Sequence, residues 1–233
     1  MGKTTLSTAE ALAFLQGHVA TVTRFDRLTE GEESQAFAFD ADGAFVLRIN
    51  RDRVGFDKDR FVHARFDQTL PIPEVTLIAP LGDVWACISR RADGVTLQDL
   101  PPGGAGRAAA DVASVLDAMA ACDTGGITGA GPFDGTGRAD CDSWGAWLAQ
   151  IADRDWQQMP DIAPALHIVL TQARHCPDRR GLVHGDFGSN NILVSGSLVT
   201  AVIDWSEAMI GDPLYDLANI LFWRSWLTCM EEQ

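Results

Sequence analysis

Alternation with a period of two runs through much of the first ninety residues, and a helical period takes over after residue 104, which predicts two kinds of architecture in succession. A helix opens near Ser7, where Ser7 and Glu10 have capping-box spacing ahead of Ala11, Leu12, Phe14 and Leu15. Two β-prone runs follow, Gln35–Ala41 and Ala44–Asn50, and the Asp42-Gly43 pair between them is a strong hairpin signal. In the second run Phe45, Leu47 and Ile49 share one face, and Val46, Arg48 and Asn50 share the other. Phe56–Thr69 reads as a helix stopped by Leu70-Pro71-Ile72-Pro73, followed by strands at Val75–Ile78 and Val84–Ser89.

Past Pro101-Pro102-Gly103-Gly104 the pattern turns helical. Arg107–Cys122 repeats apolar residues at Val112, Val115, Leu116 and Met119. Gly125–Gly137 is a glycine-rich loop, and Trp144–Met159 and Ala163–His175 are further helices. Short runs at Leu182–His184, Ile192–Val194 and Val199–Ile203 interrupt them as strands, and Pro213 starts a last helix running toward Met230. No internal repeat is present. The expected fold class is α+β: a small antiparallel β lobe over residues 1–94, a linker near Gly94–Gly104, and a larger helical lobe over residues 95–233.

Length and composition bound the rest. At about 150 residues per domain, 233 residues make one large domain or two small ones. A 46% hydrophobic, 21% charged chain is globular rather than disordered. Eighteen Lys and Arg against 32 Asp and Glu give a net charge of −14, which disfavours nucleic acid, because a duplex needs a positive stripe to displace its counterions. The acidity suits a cationic partner, and also plain solubility. Only Lys3 and Lys58 are lysines. Five cysteines, Cys87, Cys122, Cys141, Cys176 and Cys229, form no CxxC pair and suit reduced thiols in the cytoplasm. No apolar run approaches the roughly 18 residues of a membrane span, and the first residues lack a signal-peptide core. Gly2-Lys3-Thr4 is no P-loop, since no strand or earlier glycine precedes it.

The densest polar cluster in apolar surroundings is Leu182–Val194, in which His184, Asp186 and Asn191 have the form H-x-D-x-x-x-x-N between two short strands. Thirteen residues past Asn191, Asp204 ends a third strand. Phosphoryl transfer calls for these residue types. A carboxylate, Asp186, orients the attacking hydroxyl and accepts its proton, while an amide oxygen, Asn191, and a second carboxylate, Asp204, hold Mg²⁺, a hard cation that prefers oxygen. Gly185 leaves room beside the base. His184 orients the loop by a hydrogen bond rather than reacting; His18, His63, His167 and His175 lack the spacing of zinc ligands. Taken singly, each Asp or Asn is equally a turn former.

The loop and the acid after it resemble the catalytic core of protein-kinase-like phosphotransferases. By that resemblance Arg48, in the small lobe, occupies the strand position where those enzymes carry a phosphate-binding lysine; a guanidinium can fork onto phosphate oxygens, and the alternative is a surface cation. Its partner is an acid of the following helix, and Asp57, Asp59 and Asp67 are available, with Asp59 chosen. Glu30-Gly31-Glu32-Glu33-Ser34 lies where a phosphate-covering loop belongs, and Ile88–Gly94, with Ser89 and Arg91, lies where backbone groups receive adenine.

These segments, together with Leu70-Pro71-Ile72-Pro73-Glu74-Val75, Cys87–Leu100, Leu182–Leu193 and Ala201–Met209, resemble the aminoglycoside phosphotransferases from about Leu28 to the last residues. The resemblance implies a bilobal protein-kinase-like fold and transfer of the γ-phosphoryl of ATP, with Mg²⁺, to a hydroxyl of a cationic aminocyclitol antibiotic. It implies Asp186 as base, Asn191 and Asp204 as Mg²⁺ ligands and Arg48 as a nucleotide contact. It also sets Asn190, Trp223 and Trp226 at the antibiotic pocket; on spacing alone the two tryptophans, at i and i+3, are equally core. Asp134 or Asp140 would face the substrate amines. The family's chains continue through several more helices, so an apolar face left uncovered would favour a dimer over the expected monomer. Two other readings stand beside this one: a non-catalytic nucleotide-binding remnant, and a kinase with another small hydroxyl acceptor.

Overall fold

In the computed structural model, residues 6–28, 34–156, 159–227 and 230–231 are described. Ser7 caps helix α1 (Thr8–His18): its hydroxyl accepts from the Glu10 N–H at 3.3 Å, and the Glu10 carboxylate accepts from the Ser7 N–H at 2.9 Å. Five antiparallel strands follow, β1 (Arg24–Arg27), β2 (Gln35–Asp40), β3 (Ala44–Asn50), β4 (Val75–Leu81) and β5 (Val84–Arg90), in the order β1-β2-β3-β5-β4. Helix α2 (Val54–Phe66) is inserted between β3 and β4. The alternation in β3 comes out in the packing: Phe45, Leu47 and Ile49 are buried with Phe37, Phe39 and the α1 residues Ala11, Phe14 and Leu15. The hairpin between β2 and β3 is one residue longer than the Asp42-Gly43 signal implied. Asp40 pairs with Ala44, and the Ala41 N–H donates to Gly43 O at 2.9 Å across a three-residue turn.

The second part holds β6 (Val95–Thr96), α3 (Ala105–Ala121), β7 (Ala130–Phe133), β8 (Ala139–Cys141), α4 (Trp144–Ala149), α5 (Ala163–Ala173), β9 (Gly181–Val183), β10 (Ile192–Ser195), β11 (Leu198–Val202), β12 (Met209–Gly211) and α6 (Leu214–Trp223). Two small sheets, β11-β10-β6 and β8-β7-β12-β9, lie among the helices. The class is α+β.

Several boundaries differ from the pattern reading, each for a tertiary reason. The glycine-rich stretch is not all loop, because β7 pairs there with β12 and β8. The linker is not free chain, because β6 pairs with β10. The helix from Trp144 stops at Ala149 and tightens into a 3₁₀ turn over Gln150–Asp153, and the Trp156 indole N–H folds back to Ile151 O at 2.8 Å. The last helix ends at Trp223.

Two cores organise the molecule. The first lies under the five-stranded sheet. The second is built on α3, β9, β10 and Trp205, and it takes in Val62, Phe66, Leu70 and Ile72. Helix α2, sequence-adjacent to the first core, therefore buries much of its apolar face in the second. Among the described residues, no helix is long and apolar enough to cross a membrane.

Candidate active site

The loop from β9 to β10 is tied at every step. The Asp186 N–H donates to His184 Nδ1 at 3.2 Å, which puts the ring proton on Nε2, and Nε2 donates to Ile203 O at 3.0 Å. Fully buried His184 is thus a strut between the loop and the residue before Asp204. The Asn191 side chain donates to Asp186 O at 2.9 Å and to Asp186 Oδ2 at 3.0 Å. With both amide protons directed at Asp186, the Asn191 oxygen is the atom left to offer a cation; it accepts from Asn190 Nδ2 at 3.1 Å. The Ile203 N–H donates to Asn191 O at 2.9 Å, so both ends of the loop bond to Ile203. Gly185, at φ +86°, is required by close approach: a Cβ there would meet Glu207 O at 2.3 Å.

Sequence reasoning missed the residue that anchors this loop. Asp216 of α6 is buried, and its two carboxylate oxygens accept from the His184 and Gly185 N–H groups at 2.8 and 2.9 Å. Burial pushes its pKa up, opposed by His184 and by those two N–H donors. The available signal was an acid inside an apolar helical run, Leu214-Tyr215-Asp216-Leu217, where an unpaired carboxylate would be costly.

Asp204 sits in the left-handed region at φ 63° and ψ 66°, the one non-glycine residue at positive φ among the described residues. Its carboxylate is exposed, and the residues after it are gripped by α2. Asp59 Oδ1 accepts from the Trp205 N–H at 2.8 Å, while Asp59 Oδ2 pairs with the Arg48 guanidinium. Of the three acids weighed for Arg48, Asp59 is the partner; Asp57 pairs with Arg53, the N-cap of α2, and with Arg60 of the same helix. Burial works against the Arg48 charge, but the carboxylates of Asp59 and Asp204 outweigh it and hold its pKa above the ordinary value. The neighbouring Cys87 thiol, 3.8 Å from Arg48, is pushed up to about 11 by burial. The donors this cluster turns outward, an amide oxygen and a carboxylate, are the hard oxygen ligands that suit Mg²⁺.

Among the described residues, the other sequence-predicted ones make no hydrogen bond or ion pair with this cluster. Ser34 accepts from Asn50 Nδ2 at 3.2 Å; Glu30, Gly31, Glu32 and Glu33 are outside the described residues. Ser89 is buried in β5, between Val46 and Val75. The Arg91 N–H is taken by Ala44 O at 3.0 Å, and its side chain borders a cavity of about 200 Å³ with Arg90, Asp67 and Leu70–Pro73, which none of Arg48, Asp186, Asn191 or Asp204 lines. Asp134 is consumed by its own turn, accepting from the Thr136 N–H and hydroxyl at 2.8 and 2.6 Å, and Gly135 packs on Asp57 of α2. Asp140 is exposed on β8. Trp223 ends α6 and Trp226 lies just beyond it, both exposed with their rings 6.1 Å apart, and buried Met230 returns the chain to Gly188 in the loop from β9 to β10.

Three comparisons bear on this geometry. Residues 24–232 match the model of the phosphotransferase enzyme family. The hygromycin-B 4-O-kinase of Escherichia coli is 45% identical over 245 residues, an alignment spanning all of this chain and 72% of that protein. A solved ternary complex of a thermostable aminoglycoside phosphotransferase APH(4)-Ia mutant with AMP-PNP and hygromycin B superposes with a TM-score of 0.90 at 45% identity, covering 97% of this chain and 80% of that one. The GDP complex of aminoglycoside 2'-phosphotransferase-IIIa superposes with a TM-score of 0.70 at 16% identity, over 93% of this chain and 78% of that one, a likeness of fold alone.

Proposed function

This chain is a member of the phosphotransferase enzyme family, and from that premise we propose that it transfers the γ-phosphoryl group of ATP to a hydroxyl of hygromycin B. The observation that carries the reading is the single hydrogen-bonded unit formed by His184, Asp186, Asn191 and Ile203, which sets a carboxylate, an amide oxygen and the backbone of Asp204 on one site.

Asp186 orients the acceptor hydroxyl and takes its proton at a carboxylate oxygen. Its Oδ2 already accepts from Asn191, so Oδ1 is the atom free of that bond. Asn191 Oδ1 and the Asp204 carboxylate would hold Mg²⁺, and Arg48, fixed by Asp59, contacts the nucleotide phosphates. When bound, Mg²⁺ neutralises charge on the phosphate oxygens. The protein's share is positioning and electrostatics. Asn190, Trp223 and Trp226 serve the antibiotic, with flat apolar rings for its sugars. Charge distribution supports a cationic acceptor on the second lobe: residues 1–94 carry 14 acids against 11 basic residues, residues 95–233 carry 18 against 7. Dependence on ATP makes the cytoplasm the site of action.

The test is mass spectrometry of hygromycin B incubated with protein, ATP and Mg²⁺, expected to gain one phosphoryl group. Asp186→Ala should lower kcat by about 10²-fold or more while ADP still binds. Turnover at the native rate in that variant would remove Asp186 as the base, and no phosphorylated product from the native protein would remove the function.

A further inference from the structure

Asp204 holds an uncommon backbone conformation in a segment that must stay in place for any cation to be shared with Asn191. A non-glycine residue in the left-handed region is strained and persists only where its surroundings over-determine it. One grip, from Asp59 to the Trp205 N–H, is shared with Arg48, so any pull of nucleotide phosphates on Arg48 acts on it directly. The other grip uses a residue that the reading above leaves idle. Lys58 is 3% exposed, and its Nζ donates to Ser206 O at 2.6 Å, while the ammonium lies 5.3 Å from the centre of the Phe133 ring. Burial pulls its pKa down, and the nearby acids Glu207, Asp59 and Asp134 pull it back. Successive residues of α2 thus hold successive backbone groups, 205 N–H and 206 C=O, immediately after Asp204. Space is matched to this contact: a Cβ on Gly55 would meet Ser206 Cβ at 3.2 Å.

A buried ammonium is poor value for stability, because desolvation opposes it, and an apolar side chain of similar length often serves as well. We propose that Lys58 is a positioning residue, a latch from α2 that keeps the Asp204 carboxylate in place for the divalent cation independently of the Arg48–Asp59 pair. The proposal rests on the reading of Asp204 as a metal ligand. It goes beyond that reading by making metal affinity depend on a side chain that touches neither metal nor substrate.

The experiment is Mn²⁺ binding to the protein–ADP complex, followed by electron paramagnetic resonance, with metal-free ADP binding and thermal melting measured alongside. Lys58→Met should weaken Mn²⁺ by about tenfold, the usual scale for a residue that orients a ligand, with metal-free ADP affinity unchanged and the melting temperature near native. Lys58→Arg, which keeps a cationic donor, should hold Mn²⁺ better than Lys58→Met. Should Lys58→Met fail to fold, Lys58→Gln, which keeps a neutral donor on a shorter side chain, takes its place with the same expected Mn²⁺ loss. Native Mn²⁺ affinity in the folded Met or Gln variant overturns the latch, as does a parallel loss of metal-free ADP binding. Asp204→Ala separates the two claims: if it binds Mn²⁺ like the native protein, the metal assignment itself fails; if it does not, a native-like Lys58 variant condemns only the latch.

Discussion

The two acidic segments of the site are held in opposite ways. The loop from β9 to β10 is fixed from within the second part of the chain, by the Asp216 carboxylate on two backbone N–H groups and by the His184 ring. The Asp204 segment is fixed from α2, by Asp59 and Lys58, a helix inserted between β3 and β4 of the five-stranded sheet. Geometry at Asp186 is therefore a property of one core. Geometry at Asp204 depends on where α2 sits, and α2 also carries the partner of Arg48. Arg48 and the Asp204 segment are joined through a single turn of α2, whereas the Asp186 loop is hydrogen-bonded to that segment at Ile203, through His184 and Asn191.

Breaking the inner anchor should cost most. Asp216→Ala leaves two N–H groups without acceptors in a buried place, and at about 1–3 kcal/mol for each such group it should lower unfolding free energy by about 4 kcal/mol. Denaturant unfolding measures that, and kcat should fall far more than ADP affinity. Equal losses in kcat and ADP affinity would mean that the loop is not an independent unit.

Asp59→Ala strikes the other side. It removes the hydrogen-bonded partner of the partly buried Arg48 charge and frees the Trp205 N–H, so a stability loss of about 2 kcal/mol is expected. Its kinetic signature should be the reverse of the first: weaker binding of ADP and Mn²⁺, seen by calorimetry, with the Asp186 loop intact. Retention of both affinities would break the coupling through α2. The smallest effect is expected from Arg48→Lys, which keeps the charge but loses the planar fork. The KM for ATP should rise about tenfold, the equivalent of one charge-assisted hydrogen bond, with melting temperature little changed.

Most of the local structure was legible in the chain. The Ser7–Glu10 cap, the inward face of β3 and the strands flanking the catalytic loop follow from spacing alone, because each is settled within a few residues. Elements stabilised only by distant pairing were not: β6, β7 and β12 are two to four residues long, too short for any period, and exist because of strands elsewhere in the chain. The site divides along the same line. His184, Asp186, Asn191 and Asp204 announced themselves by mutual spacing, whereas Asp216 and Lys58 act through backbone groups 31 to 148 residues away.

What the sequence determined by itself is a set of residue types at fixed separations, enough to specify a phosphotransferase loop, since hydrogen-bonding chemistry and short-range spacing are written directly in the chain. Tertiary structure alone decided who holds these groups still. It chose Asp59 over Asp57 for Arg48, put a lysine under Ser206 and sent the α2 face into the second core. Burial and close approach come from packing between segments far apart in the chain, and no local pattern encodes that.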